Sequence, residues 1–151
     1  MGDQWYQETE DYMMRLLTRN VELSKKRHEY CPGISLYPNE IHTVEYIAVS
    51  SATNLTDIAS QMGLTRGAVS KMIVKLEEMG LLVRFKYNPR QKEIYVHLTE
   101  LGVQAYEGHK AYHAQMNARL CQMFHGFSQE QKEAVMTYIR QYSLEYDQLE
   151  E

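Results

Sequence analysis

Between Asn54 and His97 the chain switches from helical spacing to strand alternation within 44 residues, and this segment constrains the fold more than any other. Asn54 with Asp57 three residues on is a helix start. The amide oxygen can accept from the first free N–H groups, and the carboxylate sits at the positive end of the helix dipole. Ile58, Ala59 and Met62 then share one face, and Gly63 stops the helix. Thr65 caps a second helix with Val69, Ile73 and Leu76 as its inward stripe and Gly80 at its end. Leu81–Tyr87 and Lys92–Leu98 read as strands around the turn Asn88-Pro89-Arg90-Gln91. Helix, Gly-containing turn, helix and hairpin together predict a winged helix-turn-helix, a unit that lays its second helix in a DNA major groove.

The outward side of the second helix fits that reading. Arg66, Gly67, Ser70, Lys71 and Lys75 lie opposite the apolar stripe, a small, donor-rich face. Arg66, Ser70 and Lys71 are candidates for base edges, and Thr65, Lys75 and the hairpin for phosphates. Gly67 is costly inside a helix, by roughly 1 kcal/mol relative to Ala, which calls for close packing or close backbone approach. Arg90 and Lys92, at and beside the hairpin tip, suit a narrow minor groove. The net charge of −4 is at first sight unfavourable for a polyanionic partner. Residues 54–97, however, hold seven Lys and Arg against four Asp and Glu, so the acidity resides in the flanks.

Those flanks predict helices over residues 4–29, from Pro38 to about Ser50, from Thr99 to about Phe124, and after the capping box Ser128-Gln129-Glu130-Gln131. Cys31–Tyr37 reads as a loop and Ser51-Ala52-Thr53 as a connector with room for one short strand. The first helix has the apolar stripe Met13, Leu16, Leu17, Val21. The last has Val135, Tyr138, Ile139, Tyr142, Tyr146 and Leu149. These stripes exceed what one small lobe needs, and a twofold dimer covers them most economically while spacing two recognition helices about 34 Å apart. The fold expected is mostly α with a small β-wing. One domain spans 1–151, with a DNA-binding lobe over about 38–98 and a helical dimerisation region in 1–30 and 99–151.

Other function classes find little support. No apolar run reaches the roughly 18 residues that span a bilayer. The start of the chain lacks a signal-peptide pattern, and two distant cysteines, Cys31 and Cys121, suit a reduced cytoplasm. There is no Gly-rich phosphate loop, nucleophile elbow or carboxylate pair that would indicate an enzyme. A winged-helix module that binds protein rather than DNA is the alternative reading.

The order of elements resembles the MarR family of transcriptional regulators. Asn54-Leu55-Thr56-Asp57-Ile58-Ala59, Gly67-Ala68-Val69-Ser70-Lys71, Leu76-Glu77-Glu78-Met79-Gly80-Leu81-Leu82 and Leu98-Thr99-Glu100-Leu101-Gly102 carry the likeness. The resemblance implies a homodimeric operator-binding protein, often released by a small ligand. Family wings usually carry Asp followed by Arg-Arg near the tip, and Lys92 stands here where an arginine is usual. His109 and His113, at i and i+4, occupy one helix face at a spacing that can chelate zinc. With His42 they resemble the ligands of zinc-responsive members of the family. That likeness implies Zn2+ as an effector rather than a required cofactor, with Glu22, Glu29 or Cys31 as a further ligand.

Overall fold

The computed structural model describes residues 2–50, 53–90 and 92–148. In chain order the elements are α1 (Gly2–Ser24), β1 (His28–Cys31), β2 (Ile34–Leu36), α2 (Pro38–Val49), β3 (Thr53–Asn54), α3 (Leu55–Met62), α4 (Arg66–Glu78), β4 (Leu82–Phe85), β5 (Tyr95–Leu98), α5 (Glu100–Met123) and α6 (Gln129–Gln148). They group into two compact units, Met1–Ala111 and Tyr112–Glu151, so the division falls inside α5. The fold is mostly helical with a small β-wing, as expected, and no described helix is long and apolar enough to cross a membrane.

In the first unit the caps act where the sequence places them. Asn54 Oδ1 accepts from the backbone N–H of Thr56 at 2.8 Å and of Asp57 at 3.0 Å, which fixes the start of α3. Gly63 ends that helix at φ 61°, a left-handed conformation that a side chain would disfavour. Thr65 Oγ1 accepts from Ala68 N–H and opens α4. The stripes of α2, α3 and α4 meet in one core: Ile41, Val44, Ile58, Val69, Ile73 and Leu76 are all fully buried. The wing strands pair antiparallel with Val83 opposite His97 and Phe85 opposite Tyr95, and β3 adds to the far side of β5, giving the order β3-β5-β4.

Several boundaries differ from expectation. The first helix ends at Ser24, and residues 28–36 form a hairpin where the helix's tail and a loop were expected. Pro32-Gly33 builds its turn, with Gly33 at φ 78°. A proline followed by a positive-φ glycine favours such a reversal, and this was the signal to read. The wing strands are shorter than predicted: β4 stops at Phe85 and β5 begins at Tyr95. Pro89 has no N–H to give a ladder, so the tip leaves the sheet. Ser51, Ala52, Gln91 and Leu149, named in the expectations above, lie outside the described residues.

Two glycines bring α5 against the rest of its unit. A Cβ at Gly102 would lie 2.0 Å from the Leu81 carbonyl oxygen, and one at Gly108 would lie 1.7 Å from that of Tyr30. Only a bare backbone permits this approach, and it carries His109 in beside the β1–β2 hairpin. Thr99 fixes the helix start, accepting from Gly102 N–H at 3.1 Å and donating to the Gly80 carbonyl at 2.6 Å. In the second unit, α6 opens on the expected capping box. Ser128 N–H donates to Gln131 Oε1 at 2.8 Å, and Gln131 N–H to Ser128 Oγ at 3.2 Å. No residue of α6 is buried.

Candidate nucleic-acid interface and histidine cluster

The two sides of α4 differ sharply. Val69, Met72, Ile73 and Leu76 are buried, whereas Thr65, Arg66, Gly67, Ser70 and Lys71 are exposed. The exposed set occupies the first two turns, where free N–H groups and the positive end of the dipole favour an anion. Space around Gly67 removes one of the two explanations for that residue. A Cβ there would meet nothing within 4 Å, so packing inside the chain does not require a glycine.

Lys75 stands apart from the other candidates. It is half-buried, its Nζ is hydrogen-bonded to Glu40 Oε1 on α2, and it lies over the Tyr37 ring at 5.4 Å from the centroid. Glu40 is itself buried, and its other oxygen accepts from Tyr37 N–H at 2.9 Å, closing the cap of α2. One carboxylate thus caps a helix and neutralises a lysine from another. Sequence reasoning missed this contact because 35 residues separate the partners.

The wing is joined to α4 by a second ion pair. Glu77 Oε2 accepts from Arg84 Nε at 2.7 Å, and its Oε1 accepts from Arg84 N–H at 3.1 Å. The guanidinium hydrogen bond holds the Glu77 carboxyl below its ordinary pKa, and the backbone bond adds to this. Beyond β4 the tip residues are exposed, Arg90 and Lys92 among them. Asn88 Oδ1 accepts from Arg90 N–H at 3.0 Å, which gives the turn local order. Thus Arg66, Gly67, Ser70, Lys71, Arg90 and Lys92 all reach solvent.

The second site is the histidine cluster. His109 and His113, one turn apart on α5, and His42 on α2 offer ligand atoms that all lie within 4.8 Å of one another. His109 is 1% exposed, His113 is half-buried and His42 is exposed, so the set runs from interior to surface. The His42 and His109 ring centroids are 5.3 Å apart, and the Tyr30 ring meets His109 edge-on at the same distance. Three imidazoles converging in this way have the donor chemistry of a zinc site. The further ligands suggested by sequence do not join the cluster among the described residues. Glu22 pairs with Arg19 at 2.9 Å, and a Glu29 oxygen accepts from Gly33 N–H inside the hairpin. Cys31 is half-buried, and burial, with Glu29 nearby, raises its thiol above the usual pKa, which disfavours the thiolate. A different carboxylate, Glu45 Oε2, lies 3.8 Å from His109 Nδ1.

Residues 36–89 match the sequence model of the MarR family. The chain is 31% identical over 110 residues to the HTH-type transcriptional regulator YhjH of Bacillus subtilis, an alignment covering 73% of this chain and 63% of that protein. It thus spans under two thirds of the length of the curated relatives it matches first. Among solved structures it resembles the zinc-responsive MarR family member ZitR of Lactococcus lactis. The TM-score is 0.79 at 17% identity, covering 94% of this chain and 99% of that one. It also resembles FabT of Streptococcus pneumoniae in complex with DNA, with a TM-score of 0.71 at 20% identity and coverage of 95% and 99%.

Proposed function

We propose that the chain, which matches the MarR family model over residues 36–89 and is similar to HTH-type transcriptional regulators, is a sequence-specific DNA-binding transcriptional regulator. It acts as a homodimeric repressor on a pseudo-palindromic operator and answers to a divalent metal ion, zinc first. The observation that carries this reading is the exposed, basic opening of α4, set on a helix whose other side is locked in the core. Arg66, Ser70 and Lys71 read base edges, Gly67 admits the backbone, and Thr65 with the wing residues Arg90 and Lys92 meets phosphates or a minor groove. Lys75 contributes to the phosphate field only to the extent that its bond to Glu40 allows.

The dimer reading rests on exposed apolar surface. Trp5, Leu16 and Val21 on α1, and Met136, Ile139 and Leu144 on α6, are all exposed in the single chain. So are Met116, Leu120 and Met123 along α5. Stripes of this size at helical spacing call for a second copy. His42, His109 and His113 would hold the metal, which would supply coordination alone and so link α2 to α5. Since α2 also carries Glu40, which holds Lys75 of α4, a fixed α2 biases the position of the recognition helix. The reduced cytoplasm is the proposed setting.

Selection from random duplexes, followed by salt titration of the selected site, tests the reading. Two half-sites about one helical turn apart and a steep fall in affinity with salt are expected. An Arg66→Ala variant should lose about 1–3 kcal/mol of binding and relax one base position. Equal binding of selected and scrambled duplexes by the parent protein would leave the protein-interaction alternative instead.

A further inference from the structure

Glu45 is an acidic residue beside the histidine cluster, and no sequence signal singles it out. It lies three residues after His42 on α2, so both project from one side of that helix. Its Oε2 is 3.8 Å from Nδ1 of His109, which is 1% exposed, while the Glu45 carboxylate is 44% exposed. His109 is therefore bracketed by the Tyr30 edge, the His42 ring and this carboxylate. Glu45 is not part of the mutually close ligand set that His42, His109 and His113 form.

We propose that Glu45 is a positioning residue of the metal site and not one of its ligands. This rests on the metal reading above. A neutral imidazole carries one N–H and one lone pair, and a carboxylate can only accept. With the carboxylate on the Nδ1 side, the proton of His109 belongs on Nδ1 and the lone pair on Nε2 is left for the ion. A carboxylate behind a ligating histidine fixes its tautomer and raises its basicity. The 3.8 Å separation exceeds a hydrogen bond, and a small rotation of the half-exposed Glu45 side chain closes it. Because His42 and Glu45 share α2, one helix supplies a ligand directly and orients a second ligand on α5. The joint between these helices is thus prepared before an ion arrives.

The test is zinc titration of the full-length protein against a chromophoric chelator, together with the visible spectrum of the Co2+-loaded protein. Parent, Glu45→Gln, Glu45→Ala and His109→Ala proteins are compared. Glu45→Gln and Glu45→Ala should keep the parent stoichiometry and the shape of the Co2+ bands while binding zinc 10- to 100-fold more weakly. Unchanged zinc affinity in both Glu45 variants, with a parent that binds, overturns the proposal and spares the metal reading. Shifted Co2+ bands in the Glu45 variants make Glu45 a ligand and also overturn it. A parent that binds no zinc, or a His109→Ala protein that binds like the parent, removes the metal reading itself.

Discussion

Helices α4 and α6 both present apolar residues at helical spacing, but they differ in what covers them. In α4 the stripe ends in a core: Val69, Ile73 and Leu76 have no exposed surface. In α6 no residue is buried, and Met136, Ile139 and Leu144 are each about half exposed. The caps are well made in both cases, Thr65 on Ala68 and Ser128 on Gln131. Good local signals therefore form a helix regardless of where its apolar side goes. What differs is whether the chain itself supplies the partner. The first helix is stabilised by intramolecular burial, and the apolar side of the second is left exposed, the surface on which the proposed dimer rests.

That contrast is open to direct attack, starting with the largest effect. Ile73→Ala should cost about 2–5 kcal/mol of unfolding free energy at any protein concentration, measured by denaturant titration. Ile139→Ala should cost little in a dilute monomer and should weaken self-association in sedimentation experiments. An Ile139 effect as large as that of Ile73, and independent of concentration, would erase the distinction between the two helices. Next comes Gly108→Ala, whose added methyl would run into the Tyr30 carbonyl. Overpacking of this kind costs about 1–3 kcal/mol, and zinc binding should weaken as well because His109 is the next residue.

Gly67→Ala separates folding from function on α4 itself. With open space at the Cβ, the substitution should raise stability by roughly 1 kcal/mol. It should also lower duplex affinity, since it thickens the face that meets the groove. A more stable variant with parental affinity would move the DNA contact elsewhere. The smallest effect concerns the joint between α4 and the wing. Arg84 depresses the Glu77 pKa, so that pair contributes stability above the ordinary carboxylate pKa and loses it as pH falls through the lower folded value. Glu77→Gln should therefore show its slight deficit near neutral pH, and the gap should narrow in acid. A gap that widens in acid would reverse the sign assigned here.

Legibility in the sequence follows the range of the interaction. Asn54, Thr65, Thr99 and Ser128 were readable as caps because each acts on a backbone N–H two or three residues away. The pairing of His109 with His113 was readable for the same reason, being one turn of one helix. The β1–β2 hairpin was hidden because its strands are short and lack clean alternation, although Pro32-Gly33 marked its turn. Glu40 with Lys75 and Glu45 with His109 were not readable at all, since nothing in a linear pattern selects a partner 35 or 64 residues away.

By itself, then, the order of residues determined which segments coil, where the capped helices begin, and which side of α4 is polar. Those are consequences of local hydrogen bonding and a repeat of 3.6 residues. Only the tertiary structure decided that Gly67 faces open space, that Lys75 is tied to Glu40, and that a carboxylate from α2 stands behind a histidine of α5. Such contacts depend on how closely helices approach. Here that distance is set by bare backbone at Gly102 and Gly108 meeting carbonyls of distant segments.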